Sequence, residues 1–113
     1  MHELSVTENV LAIAQRHAQQ AEATRVTAVY LVIGQLSSII DDSVQLYWEI
    51  ISENSLCAGA TLHFERIPAQ LECQACHHQY TLDRELTNCP NCASFSVKVL
   101  SGQEFYVSAI DVE

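Results

Sequence analysis

Basic side chains are scarce in this sequence: five Lys and Arg stand against fourteen Asp and Glu, a formal net charge of -9 over 113 residues. That balance argues against nucleic acid as a partner, because affinity for phosphate backbones comes from neutralising them with cations. Even the cysteine-rich segment offers only Arg84 and Lys98, close to Glu72, Asp83 and Glu85. An acidic surface suits metal cations and basic protein partners instead. No run of about 18 apolar residues is present, so no membrane span is expected. The start, Met1-His-Glu-Leu-Ser-Val-Thr-Glu, lacks the basic region and apolar core of a secretory signal, which points to a reducing cytoplasm. A Ser-His-Asp pattern, a Gly-rich phosphate loop and an HExxH motif are all missing, and the sequence offers no case for an enzyme.

What the chain does have is cysteine in a pattern. Cys73-Gln-Ala-Cys76 and Cys89-Pro-Asn-Cys92 are two CxxC pairs separated by twelve residues. Each pair places two sulfurs at one turn of backbone, and two such knuckles complete the tetrahedral four-thiolate site that Zn²⁺ favours. Pro90 fixes φ while Asn88 and Asn91 tolerate tight turns, so Glu85 to Cys92 reads as a turn entering the second knuckle. Disulfides do not suit a reducing compartment. A redox CxxC needs a single pair at a helix start rather than two matched ones. Iron in a four-thiolate cage stays open, since softness and geometry suit both metals.

The rest reads as one small α+β domain interrupted by a metal-stapled insertion. Residues 1–67 and 103–113 are rich in Val, Ile, Leu and Ala, whereas 68–94 holds both prolines and few large apolar side chains, so an insertion over 68–100, between 1–67 and 101–113, draws its folding free energy from metal. Ser5-Val-Thr-Glu8 has the form of a capping box, predicting a helix over about 6–22 with Val10, Ile13, Ala14, His17, Ala18 and Ala21 on one face. Arg25 to Ile33 predicts a central strand covered on both sides and ending at Gly34. Asp41 or Asp42 is expected to cap a second, largely buried helix over about 42–54, striped by Val44, Trp48 and Ile51 and widened by Leu46, Tyr47 and Ile50. Thr61 to Ile67 alternates as a half-buried strand. Phe95 to Leu100 and Glu104 to Val112 complete the strands around a Ser101-Gly102 turn. The expected fold is two helices packed on a small mixed sheet, with an inserted four-cysteine zinc-ribbon domain.

Smaller features have ordinary readings beside functional ones. Cys57 stands alone and reads as a small core or loop residue. His17 reads as packed within the apolar helix face and His63 as a surface residue. His77 and His78 follow the first knuckle directly, where they either support the metal from outside its ligand shell or are simply exposed. At the terminus, a free α-amine followed by His2 can chelate a metal through the amine, the His2 amide nitrogen and the imidazole, closing five- and six-membered rings. Glu3 offers a fourth donor. Planar nitrogen donors of this kind suit Ni²⁺ or Cu²⁺. The ordinary reading of His2 is a frayed end.

In Met1-His2-Glu3-Leu4-Ser5, in Val32-Ile33-Gly34-Gln35-Leu36-Ser37, in Pro68-Ala69 ahead of the knuckles, and in Gly102-x-Glu104-x-x-Val107-x-x-Ile110-x-Val112-Glu113, the chain resembles the HypA/HybF family along its whole length. The resemblance implies a cytoplasmic nickel metallochaperone that helps insert nickel into the large subunit of [NiFe]-hydrogenase, and in some organisms urease, beside the GTPase HypB. It implies zinc at Cys73, Cys76, Cys89 and Cys92 and nickel at Met1, His2 and Glu3, and it leaves monomer and homodimer both open. The chain departs from the family at Gln35, where an acidic residue is usual, and at Ala93, where glycine is common, so the second knuckle must turn without a glycine's freedom. The rival readings are a zinc-ribbon interaction adaptor, for which His2 is dispensable, and a rubredoxin-like electron carrier, which requires iron.

Overall fold

A computed structural model describes residues 3–82 and 87–113. Its elements run α1 (Glu3–Gln20), β1 (Val26–Gly34), α2 (Asp41–Ile51), β2 (Thr61–Ile67), β3 (Gln70–Cys73), β4 (Gln79–Thr81), β5 (Val97–Ser101) and β6 (Phe105–Val112). The chain divides into two compact units. One comprises Met1–Val32, Ser38–Glu65 and Tyr106–Glu113, and the other Ile33–Ser37 and Arg66–Phe105.

In the first unit both helices accompany a sheet of order β2-β1-β6, with β1 in the centre as its apolar run requires. β2 runs parallel to β1, since the Val26 amide donates to Leu56 near the start of β1 and the Gln35 amide to Ile67 just past its end. β6 is antiparallel, because Glu113 donates to Arg25 while Gly34 donates to Glu104. The sheet is therefore mixed, and α2 is the crossover that a parallel pair needs.

Helix α1 starts earlier than the capping box suggested. Ser5 and Glu8 lie inside it on the exposed side, while the Glu3 carboxylate occupies the first turn, where it complements the partial positive charge of the unpaired N–H groups. Thr7 is fully buried and its hydroxyl donates back to the Glu3 carbonyl, an i−4 bond that spares it a polar vacancy in the core. The inward face is Thr7, Val10, Ala14 and Ala18. His17, expected to pack on that face, is exposed. Past Gln20 the chain turns on Glu22 at φ 57°, with the Ala23 amide reaching Ala18 and the Glu22 amide reaching Gln19. That is the paired closure of a Schellman motif, made here without glycine.

Helix α2 corrects two further expectations. Its N-cap is Ile40, in extended conformation and with no side-chain cap; Asp41 and Asp42 sit instead in the first turn, where the helix dipole favours them. Nor is it largely buried. Val44 and Trp48 face inward, with the Trp48 Nε1 donating to the Ala60 carbonyl at 3.1 Å, while Leu46 and Ile50 face solvent. An 11-residue amphipathic helix has only one stripe to bury, and the apolar residues outside it stay wet. His63 is exposed as expected, its ring stacked on Tyr30 at 4.6 Å between centroids.

The second unit is an antiparallel sheet of order β4-β3-β5. Its own apolar cluster is small, consisting of Ala69, Leu71 and Leu82 with Tyr80, Val97 and Val99 against it. The segment after β1 is knitted into this unit: the Gln35 amide bonds Ile67, the Leu36 amide bonds Gly102, and the Gln35 Oε1 accepts from the Ala69 amide at 2.8 Å. Gly34 and Gly102 touch backbone to backbone, so a Cβ on Gly34 would lie 2.1 Å from the Gly102 carbonyl. Only glycine permits that approach. Gln35, where an acidic side chain was the family expectation, thus serves as a neutral acceptor for a main-chain N–H.

Candidate metal centre

The four paired cysteines converge in the second unit. Cys73 ends β3 and Cys76 closes the turn leading toward β4. Cys89 and Cys92 form the second turn ahead of β5. The turns are built alike. After the first pair the His77 amide donates to the Cys73 carbonyl and the Cys73 amide to His78; after the second, the Ala93 amide donates to Cys89 and the Cys89 amide to Ser94. His77 and Ala93 both take φ 64°, the left-handed conformation that re-aims the backbone so its amides face the sulfurs. Ala93 therefore makes the turn that glycine would make more cheaply, at a cost of about 1 kcal/mol.

All four Sγ atoms lie within 4.8 Å of one another. Cys73 Sγ is 3.4 Å from Cys92 Sγ, and Cys76 Sγ is 3.7 Å from Cys89 Sγ. Zn–S bonds of about 2.3 Å in a tetrahedron place sulfurs about 3.8 Å apart, so the donor set fits a zinc ion in type, number and separation. Cys73 and Cys89 are buried, Cys76 is half-buried and Cys92 is exposed. No other set of three or more His, Cys, Asp or Glu among the described residues converges in this way.

The surroundings favour thiolate unevenly. The Asn91 side-chain amide, 3.4 Å from Cys76 Sγ, and then the His78 backbone amide hold the Cys76 thiol down to about 6. The Cys76 backbone amide, 3.5 Å from Cys73 Sγ, lowers Cys73 as well. Cys92 goes the other way: the Ser94 amide favours its thiolate, but the Cys73 and Cys76 sulfurs outweigh it and push the thiol up to about 12. Four sulfurs so close together can all be thiolates only with a cation among them, and a divalent metal supplies it. Asn91 was legible only as a turn residue, because an Asn between cysteines does not announce which sulfur its amide will reach.

The histidines beside the first knuckle contribute through backbone more visibly than through side chains. His77 Nδ1 lies 3.4 Å from the Glu72 carboxylate, and the His78 ring stacks loosely on Tyr80 with centroids 6.1 Å apart. Cys57 belongs elsewhere, fully buried in the first unit, and desolvation pushes its thiol up to about 11, as expected of an inert core thiol.

Of the terminal motif, Met1 and His2 lie outside the described residues. Glu3 is described, half-buried in the first turn of α1. No helix is long and apolar enough to cross a membrane among the described residues.

Comparison with known proteins gives a consistent result. Residues 1–112 match the family described as hydrogenase/urease nickel incorporation, metallochaperone, hypA. The hydrogenase maturation factor HypA of Dehalococcoides mccartyi strain CBDB1 is 38% identical over 113 residues, covering 100% of this chain and 95% of that one. The factor of the same name from Geotalea uraniireducens strain Rf4 is also 38% identical, with 100% of both chains covered. Among solved structures, the solution structure of the Ni metallochaperone HypA from Helicobacter pylori superposes with a TM-score of 0.67 at 25% identity, covering 99% of this chain and 97% of that one. A second solution structure of a HypA protein gives 0.73 at 26% identity, covering 100% and 97%.

Proposed function

Because the chain belongs to the HypA family of hydrogenase and urease nickel-incorporation metallochaperones, we propose that it carries Ni²⁺ on Met1, His2 and Glu3 and holds a structural zinc on Cys73, Cys76, Cys89 and Cys92. The observation that carries this reading is the span of the family match, residues 1–112, which includes both the terminal motif and the convergent thiols. The adaptor and electron-carrier readings draw on the cysteines alone and give the terminus no role.

The chemistry of a helix start supports a weak, exchangeable nickel site. Amides at the head of a helix have no carbonyl four residues earlier to bond, so their nitrogens remain available. Helix α1 begins at Glu3, and the α-amine and His2 imidazole can complete a chelate there. The same helix end carries partial positive charge, which opposes a bound cation. The Glu3 carboxylate offsets that repulsion. The result is a donor set whose planar nitrogens suit Ni²⁺ as they suit Cu²⁺, in a field that favours letting the ion go. The recipient is the hydrogenase large subunit, with urease a second client and the GTPase HypB the partner in transfer, all in the cytoplasm.

The test uses the untagged protein beside a version with one extra residue before Met1, titrated calorimetrically with Ni²⁺ while zinc content is measured in parallel. The extension keeps every side chain but moves the amine out of the chelate ring. Nickel binding is expected to vanish in the extended protein and in His2→Ala, with zinc retained in both. Equal nickel affinity in the extended and native forms would remove the amine from the ligand set.

A further inference from the structure

Away from both metal sites, α2 presents a surface that its own fold does not use. Leu46 and Ile50 stand one helical turn apart at 59% and 60% exposure, and Ile40 at the helix start is 57% exposed. Asp42, Glu49 and Glu53, all exposed, flank them. From residue 26 to residue 65 the chain contains no Lys or Arg, while it carries Asp41, Asp42, Glu49, Glu53 and Glu65. Beside the helix lies a cleft of about 420 Å³ whose lining includes Trp48, Glu49, Ser52, Glu53, Gly59 and Leu62. The indole N–H at its base is already bonded to Ala60, and Gln45 Nε2 donates to the Glu49 carboxylate at 3.0 Å. The cleft therefore combines an apolar floor with two carboxylates, Glu49 on the last turns of α2 and Glu53 in the turn that follows it.

We propose that this face of α2, together with the cleft, docks a basic amphipathic segment of a partner protein: apolar side chains of the partner cover Leu46 and Ile50, and a Lys or Arg enters the cleft between Glu49 and Glu53. Charge decides the occupant. Anionic lipid and nucleic acid are repelled by carboxylates on a segment, residues 26–65, that supplies no Lys or Arg of its own. A second copy is disfavoured too, because an isologous pairing would bring Asp42, Glu49 and Glu53 against their own counterparts. An exposed apolar strip rimmed by one sign of charge marks an interaction site whose specificity comes from the complementary sign. None of these residues belongs to the terminus or the cysteine cluster, so the inference stands or falls apart from the nickel reading.

The experiment uses the full chain loaded with zinc and free of nickel. The probe is a synthetic helical peptide with Leu on one face and Lys on the other, and its twin carries Glu in place of Lys. Trp48 is the single tryptophan, so its emission reports filling of the cleft directly. The Lys peptide is expected to bind with a shift in Trp48 emission, and the Glu twin not to bind. Glu49→Gln/Glu53→Gln and, separately, Leu46→Ser/Ile50→Ser should each weaken binding about tenfold. All four side chains replaced are solvent-facing or at the cleft, and circular dichroism checks that the fold is kept. Affinity unchanged in both double variants, or an equal loss on neutralising Glu8 on α1 and Glu22 just past its end, would overturn the proposal in favour of unspecific charge attraction. Self-association in sedimentation that disappears in Leu46→Ser/Ile50→Ser would overturn it in favour of a second copy.

Discussion

Replacing Asn91 by Ala removes one hydrogen bond and leaves all four cysteines in place, which makes it the finest probe of the metal centre. The Asn91 Nδ2 donates to Cys76 Sγ at 3.4 Å, and it is the largest influence holding that thiol down to about 6. A metal competes with protons for a thiolate, so a ligand whose thiol is lower loses fewer metal ions as pH falls. Without the amide the Cys76 thiol rises toward its ordinary range. Protons then displace zinc at a higher pH than in the native protein. Groups that hydrogen-bond to metal ligands are worth about 10-fold to 100-fold in affinity. Asn91 is exposed, and water can replace part of its donation, which places the expected loss at the low end, about tenfold. The assay is competition for zinc with a chromophoric chelator across pH 5 to 8, in native protein and in Asn91→Ala, with zinc release read from the chelator's absorbance. The release midpoint should move to higher pH and the chelator needed at neutral pH should fall about tenfold. Identical midpoints in the two proteins would mean that the amide does not act on the bound thiolate, and the account of how this knuckle tunes its sulfur would be wrong.

Two further predictions concern the fold around these sites. Cys89→Ala should lose zinc and the order of β3, β4 and β5, because among the described residues Ala69, Leu71 and Leu82 alone are the buried members of that unit's small apolar cluster, while both helices persist; amide spectra showing loss of α1 and α2 as well would contradict a first unit that folds without the metal. For Cys57, the folded thiol is raised to about 11 by desolvation, so the native state keeps its proton longer than the unfolded chain. Stability from this group is complete below the ordinary thiol value of 9.0 and falls as pH rises toward 11, by about 2–3 kcal/mol in total. Urea unfolding at pH 8 and pH 10.5 should show that loss in the native protein and not in Cys57→Ala; equal pH dependence in the two would sink the assignment.

Some of this molecule could be read before any coordinates and some could not, for reasons that residue patterns explain. The unbroken apolar run became β1 within one position of its expected bounds, since a strand covered on both sides has no competing period. The alternation at Thr61 to Ile67 became β2 at the expected bounds. The start of α1 was misplaced because Ser5-x-x-Glu8 satisfies the capping pattern by sequence, while the actual first turn is set by Glu3 and the Thr7 back-bond. Leu46 and Ile50 widened the apolar stripe of α2 on paper, yet nothing packs there; hydrophobicity does not say which face a neighbour covers. Strands β3 and β4, four and three residues long, were hidden because Leu71 and Tyr80 are their only large apolar residues. Convergence of the four sulfurs followed from spacing alone. The hydrogen bonds that tune those sulfurs did not, since they depend on backbone turns at His77 and Ala93 that no side chain announces.

The cysteine cage and the proposed terminal ligands also differ in a way that decides which could carry cargo. Leaving the cage means breaking four bonds to thiolates fixed by paired turns, two of them on buried cysteines, and removing the cation would leave negative charges crowded together. An ion there is part of the structure. The site proposed on the terminal amine, the His2 imidazole and Glu3 uses none of these thiolates. Each donor can be exchanged singly for a donor of the receiving protein, and each proton taken up by amine or imidazole below about pH 6.5 to 8 loosens the ion further. On the ligand set proposed above, stepwise release is open to the terminal donors and costly for the cage. If metal is passed from protein to protein by stepwise replacement of ligands, that reading has it leave from Met1, His2 and Glu3. Keeping zinc bound while nickel comes and goes then requires only that the two sites share no donor, and Met1, His2 and Glu3 share none with the four cysteines.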